Sequence, residues 1–505
     1  MRVSDIITKE EIGRWEPGDN IGISSGLGSG KSYMCKNTLY EVAKENNEKI
    51  LMLIHRTNCV QQFIAEIEAS GKNDVMEIIT YQKLENDIMR KHGRYDLKQY
   101  KYIVNDEFHY FFNDSAFNNK TAISFEAIMN QESAVRIFMS ATGECMTQYM
   151  EQYIFENNLR SLKKYTIPAD YSYISELNFF HNDSSIKGFI KQALERNEKI
   201  IVFMQSAEKA YRLFCEYKDV SVFNCGESSR FHRYVDKNKI SQILCNEKFD
   251  EPVLITTASF DSGINLIDRE LRNIVIDMTD IGSLIQCIGR KRIQDKNDTI
   301  TLYIKSINNQ RLSGLRQSMR KQLEMADFFI ANDYSILKLL EKYPMTNDKT
   351  DIIYDYRTDG ETYTKRVNNL MYWKKKYDIK LFTKMIDEYD GFGYCKYLAK
   401  LFGFYDKENK MYTYKTVIAG DPLEEYLESM VGQVMLQRGD RKELIGKIDA
   451  RSGGHRLNRI DSLNEAIEKR GLKYRIVEFQ TSRMIKKEDK TIKKNYKNAW
   501  KVIKI

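Results

Sequence analysis

Long apolar runs are the first thing this sequence lacks. No stretch approaches the roughly 18 residues needed to cross a bilayer, and the longest are short runs such as Ile50 to Ile54. The opening residues MRVSDIITKE have neither the basic start nor the apolar centre of a secretory signal. A soluble, cytoplasmic protein with no membrane partner is therefore expected. Clustered cysteines are missing as well. The eight present, at positions 35, 59, 145, 215, 225, 245, 287 and 395, never come closer than ten residues apart. That spacing suits neither a zinc ribbon nor a disulfide framework and points to reduced, mostly buried thiols. Strong overall charge is absent too, the formal net being +8, but the distribution is uneven. Residues 441–505 hold 19 Lys and Arg against 8 Asp and Glu, and the remaining 440 hold 60 against 63. A near-neutral body with a basic end is the pattern of a polyanion-binding appendage, with a solvated basic tail as the plain alternative.

What is present is organised around Ser25-Gly26-Leu27-Gly28-Ser29-Gly30-Lys31-Ser32. Asn20 to Ser24 alternates like a short strand, and Tyr33 to Lys44 carries apolar residues at helical spacing. The loop between them meets a helix N-terminus, where unpaired N–H groups and the positive end of the macrodipole favour an anion. Gly26, Gly28 and Gly30 let the backbone curl around phosphates with Ser29 among them. Lys31 reaches the β and γ oxygens, and the Ser32 hydroxyl can ligate Mg2+. The residue types thus imply ATP with Mg2+, although Ser25 stands where the usual pattern begins with glycine.

Further on, Lys49 to Ile54 is a continuous apolar run suited to a strand buried on both faces of a parallel sheet, and His55-Arg56-Thr57 follows at its end. Ile78 to Gln82 reads as another strand end, with the Thr80 hydroxyl. Tyr102 to His109 (YIVNDEFH) is apolar until it breaks into two carboxylates. Asp106 is placed to hold the Mg2+ water shell and Glu107 to orient and deprotonate an attacking water. Val135 to Thr142 (VRIFMSAT) is a further strand, ending in Ser140-Ala141-Thr142. A second α/β series has strands at Lys199 to Met204, Val253 to Thr257 and Leu271 to Asp277, and closes with Ser283 to Arg292 (SLIQCIGRKR).

Lys31-Ser32, Asp106-Glu107-Phe108-His109 and Ser140-Ala141-Thr142, in that order, resemble motifs I, II and III of superfamily 2 helicases in their DExH variety. Gln205-Ser206 resembles motif IV, Ala258 to Asn265 motif V, and Gln286-x-x-Gly289-Arg290 motif VI. The resemblance covers residues from about 20 to 305, and the look of GLGSGKS, DEFH and QCIGRKR is similar to helicases of phages and other mobile elements. It implies that His109, Ser140, Thr142 and Gly263 couple the nucleotide pocket to the rest. It also implies that Arg56 and Thr80 on one lobe, with Thr256 and Thr257 on the other, touch a sugar-phosphate backbone. Gln286, Arg290 and Arg292 would reach the triphosphate from the second lobe. Arg292 stands one position earlier than the family pattern, whereas Gln286 and Arg290, four apart, would share a helix face.

The fold expected is α/β: two tandem RecA-like, doubly wound parallel-sheet domains over 1–165 and 166–310, with the connection near Leu162 to Tyr173. A mainly helical accessory region over 311–420 follows, with helices at Gln317 to Leu340, Tyr372 to Tyr389 and Tyr394 to Phe404. It includes a hairpin around Asp359-Gly360. The basic end, 421–505, reads as helices at Leu423 to Gln437, Arg441 to Ile448 and Arg459 to Arg470. Strands at Tyr474 to Thr481 and Ala499 to Ile505 follow, separated by a lysine-rich loop, in an order that suits a winged helix. The function expected is an ATP-dependent helicase or translocase acting on a single strand or tailed duplex, DNA rather than RNA. The alternative is a non-unwinding motor or sensor subunit with protein partners in a replication, defence or restriction complex.

Overall fold

The computed structural model describes residues 2–26, 28–55, 57–90, 95–116, 120–258, 265–344, 352–358, 362–417, 422–436, 438–452, 455–470, 472–487 and 490–505. By packing, the chain divides into two units, Met1–Phe179 with Ile190–Thr416, and Phe180–Phe189 with Val417–Ile505.

The first unit holds two parallel sheets in tandem. In the first lobe the strands are β1 (Asn20–Ser25), β2 (Ile50–Ile54), β3 (Met76–Thr80), β4 (Tyr102–Asp106), β5 (Val135–Ser140) and β6 (Leu162–Ile167), in the spatial order β3-β2-β4-β5-β1-β6. Every pairing is parallel, so helices must cross over on both faces and cover them. The apolar runs follow from that burial. Ile50, Met52 and Ile54 of β2 pack into one core layer, while Leu51 and Leu53 pack into the layer on the opposite face. β6 lies where the sequence pattern loosens and a linker was expected. Its residues are largely exposed and polar, and it is an edge strand held by its ladder to β1, from Asn20↔Leu162 to Ser25↔Ile167. The connection between lobes is therefore confined to residues 168–173.

The second lobe adds β7 (Ile174–Phe180), β8 (Lys199–Met204), β9 (Ser221–Asn224), β10 (Val253–Thr257), β11 (Leu271–Asp277) and β12 (Ile300–Lys305). With the short strand Lys415–Val417 they form a seven-stranded sheet in the order Lys415–Val417, β7, β12, β11, β8, β10, β9. The two lobes are tandem RecA-like α/β domains.

The helices after β12 are Asn309–Ala331, Ile336–Lys342, Asn369–Glu388 and Gly393–Leu401. The single helix expected over Gln317 to Leu340 is thus broken, and Asp333 and Tyr334 at the break both have positive φ. The hairpin is formed by Ile353–Thr358 and Thr362–Val367, its last described pair being Thr358↔Thr362; Asp359-Gly360 lies outside the described residues. In the second unit, helices Pro422–Met430, Arg438–Ile448 and Ile460–Lys469 pack Leu427, Leu444, Leu463 and Ile467 around Ile476, Trp500 and Val502. Its long strands run over Tyr474–Lys487 and Lys490–Lys504, antiparallel, with Val434–Met435 as a third. Most of the lysine-rich stretch expected as a loop is therefore strand.

Candidate active site

Parallel α/β sheets present their ligand loops at the C-terminal ends of the strands. In the first lobe the ladder sets three such ends side by side, since Ser24 pairs with Ser140 and Asp106 with Met139. The loop after β1 turns through Gly28 at φ 74° and Gly30 at φ 88°, left-handed conformations that glycine adopts without a Cβ penalty. Gly30 caps the helix that begins at Lys31. That helix runs Lys31–Met34, then one π turn over Cys35–Leu39, then Tyr40–Glu45; such turns sit preferentially at functional sites. Ser25 joins its hydroxyl to that of Ser29 at 2.7 Å, tying the two ends of the loop. Lys31 Nζ donates to the carbonyls of Ser25 (2.9 Å) and Gly26 (3.2 Å). Burial pushes the Lys31 ammonium down, opposed by the carboxylates of Glu107 and Asp106.

Those carboxylates end β4. Burial and the neighbouring Glu107 charge push Asp106 up. Burial would raise Glu107 too, but the His109 ring, Lys31 and Arg290 together hold it down, so it stays ionised. Glu107 has φ 48°, an uncommon conformation for a residue with a side chain and one that clusters at functional sites. His109 is the node. Its Nδ1 lies 2.8 Å from Ser140 Oγ and 3.3 Å from Glu107 Oε2, and the Ser140 hydroxyl also accepts from Thr142 N at 3.0 Å. Phe108 closes the same link from behind, for a Cβ on Gly143 would come within 2.6 Å of its ring.

The second lobe reaches the same node. Gln286 Nε2 lies 2.7 Å from His109 Nε2. An amide N–H2 can only donate, so His109 Nε2 accepts and Nδ1 carries the proton toward Ser140 and Glu107. Gln286 belongs to the helix Ile281–Ile288, which ends at Gly289. Arg290 therefore does not share a helix face with Gln286, contrary to the spacing argument. Arg290 lies in the turn that ends the helix, its N–H donating to Cys287 O and its Nε to Gln286 O, each at 3.3 Å, and Lys291 is then bridged to Leu266, with Leu266 N donating to Arg290 O (2.7 Å) and Arg292 N to Leu266 O (2.9 Å). The partners separate the three side chains, Arg290 bearing on Glu107, Arg292 on Asn265 and the loop at Gly28, and Lys291 on Asp298. Arg290 is 6 % exposed and is among the charges that depress Glu107. Arg292 donates from Nε to Asn265 Oδ1 at 2.7 Å, and its Nη1 lies 3.6 Å from where a Cβ on Gly28 would be. The arginine one position early is thus beside the phosphate loop.

Lys291 anchors this arrangement through a buried ion pair with Asp298 at 2.8 Å, the two side chains being 0 % and 1 % exposed. Removing one partner of such a pair costs about 3–5 kcal/mol, because the other charge is left buried and alone. Lys291→Ala should lower the melting temperature measured by circular dichroism, and Lys291→Met combined with Asp298→Leu should restore most of the loss.

The residues expected to touch a nucleic-acid backbone fare differently. Arg56 and Gly263 lie outside the described residues. Thr80 caps the helix Tyr81–Ile88, its hydroxyl accepting from Lys83 N at 3.0 Å. Thr256 is 0 % exposed inside β10, which lies between β8 and β9, so it presents no surface with which to touch a strand. Thr257 is 9 % exposed. Sequence reasoning did not single out Asn265, which holds Arg292, or Asp114, which lies 3.0 Å from His55.

The residues present fit a nucleoside triphosphate with Mg2+. The two left-handed glycines and the lysine at the helix start make the cradle, while one hydroxyl (Ser32) and one carboxylate (Asp106) suit an ion that keeps several of its waters. Among the described residues no group of three or more His, Cys, Asp or Glu could hold a metal by itself.

Residues 70–144 match the family model described as type III restriction enzyme, res subunit. No curated protein matches this chain by sequence. Among solved structures it is similar to S. cerevisiae Dbp5 bound to RNA and ADP BeF3, at 16% identity and TM-score 0.45 over 61% of this chain and 86% of that one. It is also similar to the DEAD-box helicase Mss116 bound to ssRNA and UDP-BeF, at 14% identity and TM-score 0.43 over 57% and 66%. A third is the DUF1998 helicase MrfA bound to DNA and AMPPNP, at 15% identity and TM-score 0.42 over 57% and 46%, so this chain spans under half of that protein's length. These similarities are too low to carry the fold assignment, which stands on the strand orders and on the site just described. The chain thus combines two tandem RecA-like lobes with a segment, residues 70–144, that is similar to the res subunit of type III restriction enzymes.

Proposed function

We propose that this chain is a nucleic-acid-dependent ATPase that hydrolyses ATP between its two lobes and uses the resulting motion to step along a single strand, DNA in preference to RNA. The observation that carries the reading is the crossing of the cleft by Gln286, Arg290 and Arg292 to His109, Glu107 and Gly28. In this reading Lys31 and the loop Gly26, Gly28, Ser29 and Gly30 cradle the triphosphate. Ser32 and Asp106 hold Mg2+, which supplies charge neutralisation on the phosphates when bound. Glu107 accepts a hydrogen bond from the attacking water and takes its proton. Lys31 and Arg290, which hold Glu107 down, are also the groups that pair with phosphate, so substrate shares their charge and makes Glu107 the stronger base. His109 joins Glu107 to Ser140 and Thr142 on one side and to Gln286 on the other, so the catalytic carboxylate is aligned only when the lobes are together.

Nucleic acid enters through phosphate and sugar contacts at Arg56, Thr80 and the segment around Gly263, with the basic region 421–505 as a further anchor. The protein acts in the cytoplasm; among the described residues no helix is long and apolar enough to cross a membrane. ATP turnover measured with and without single-stranded DNA and RNA tests the reading. Turnover should rise on adding a strand, most with DNA, and the strand affinity should fall with salt by about 0.7 in log–log slope per phosphate neutralised. Turnover indifferent to nucleic acid would contradict it.

A second reading, a motor subunit that does not unwind and works within a defence or restriction complex, is favoured by the match over residues 70–144. Strand displacement on 3′-tailed and 5′-tailed duplexes separates the two. ATPase without displacement by the isolated chain selects the subunit.

A further inference from the structure

The helix Asn369–Glu388 touches both lobes. At its start, Asn368 Nδ2 donates to Ser115 O at 2.9 Å, Leu370 joins a core layer of the first lobe, and the Trp373 ring lies 5.8 Å from that of Tyr149. Toward its end, Phe382 and Met385 are part of the second lobe's core, and Tyr389 O accepts from Asn309 Nδ2 at 2.9 Å. One rigid rod thus bridges the two domains that hydrolysis has to move.

Between the two anchorages Lys374 Nζ donates to both oxygens of Asp378, at 2.8 Å each, and to Asp280 Oδ1 at 3.2 Å. The other oxygen of Asp280 accepts from Ser283 N at 2.7 Å and caps the helix Ile281–Ile288. That helix carries Gln286 and ends where Arg290 and Arg292 enter the cleft. One carboxylate therefore joins the rod to the element that delivers the arginines. Asp280, whose side chain is 40 % exposed, is held down to about 2, first by Lys374 and then by the Ser283 N–H, and Lys374, 18 % exposed, is raised by Asp280 and Asp378. Beside it lies a cavity of about 410 Å³ lined by Thr142, Gly143, Asp280, Lys374, Tyr377 and Asp378. The helix Ile281–Ile288 also meets the first lobe there, a Cβ on Gly282 lying 3.9 Å from Thr142 Cβ, so the ion pair acts beside that contact and the Gln286–His109 bond.

We infer that Lys374 is a positioning residue for hydrolysis: by holding Asp280 from a rod anchored on the first lobe, it sets where Gln286, Arg290 and Arg292 meet His109, Glu107 and Gly28. The inference rests on the ATPase reading above for its kinetic consequence, but not for its structural one.

The test uses the full chain as the parent, Lys374→Met, Lys374→Arg and Asp280→Asn. Asparagine keeps the helix cap, being as good an N-cap as aspartate, and loses the charge that Lys374 holds. Lys374→Met and Asp280→Asn should each lower kcat by about 10²-fold, the order expected of a small misplacement of catalytic groups, with KM for ATP nearly unchanged. Lys374→Arg should recover a large part of the loss. In hydrogen exchange followed by mass spectrometry, without nucleotide, the segment 281–290 should exchange faster in both variants while the segment 28–36 stays as in the parent. A parent chain without ATPase would sink the proposed function, and the exchange comparison would still decide this inference. Unchanged kcat with unchanged exchange over 281–290 overturns it. Should Lys374→Met not fold, Asp280→Asn decides: parent-like kcat and exchange overturn the inference, and their loss supports it.

Discussion

Replacing Arg290 with alanine is expected to lower ATP turnover by about 10³- to 10⁵-fold, the range for an arginine that neutralises charge developing on a transferred phosphoryl group. The argument is geometric. Arg290 is 6 % exposed, enters from the second lobe, and already bears on Glu107 in the first. Of residues 290–292, Arg290 and Arg292 bear on the first lobe, whereas Lys291 is committed to its pair with Asp298. Lysine at 290 should rescue little, since a point charge on a flexible stem does not reproduce a planar fork of donors. Arg292→Ala should weaken nucleotide binding as well as turnover, because its guanidinium lies against Gly28 of the loop. Phosphate release at saturating ATP and strand, beside equilibrium binding of a fluorescent ATP analogue, separates the two. An Arg290→Ala variant that turns over within a few-fold of the parent would remove this residue from the reaction.

The Glu107→Gln variant should lose about 10²- to 10⁴-fold in turnover, the contribution of a positioned general base, and should bind ATP at least as well as the parent. The second half follows from charge. Glu107 is a carboxylate kept ionised beside Lys31, so it competes with the triphosphate for that ammonium and repels the γ-phosphate. Glutamine removes the repulsion and keeps the shape. The same assays check both halves, and a variant that hydrolyses ATP at the parent rate would remove Glu107 from the reaction.

The first lobe was legible wherever an apolar strand breaks into polar residues. Ser25, Asp106 and Ser140 each end a buried strand, and in a parallel sheet the burial that demands the apolar run also puts its polar ending at the ligand edge. β6 was not legible, because an edge strand exposes most of its side chains and is specified by backbone pairing with β1 rather than by pattern. The setting of Arg290 was hidden for a different reason. Spacing was read with helical period through a segment that leaves the helix at Gly289, beyond which Lys291 is bridged to Leu266. Thr256 was misplaced because a hydroxyl at a strand end looks available in sequence, whereas its exposure depends on neighbours that sequence does not show. The Lys374–Asp280 contact joins residues 94 apart, and neither stands in a motif. In the basic end, lysines every second or third position read as a loop, yet such residues also suit a strand that solvent can reach.

The most direct test of the central claim, that nucleotide and nucleic acid act on each other through the closing of two lobes, is a measurement of mutual affinity. Binding of a labelled single strand is titrated with and without a non-hydrolysable ATP analogue, and binding of the analogue with and without the strand. The expected result is that each changes the other's dissociation constant, and by the same factor, as linkage requires. Two affinities that ignore each other would contradict the account.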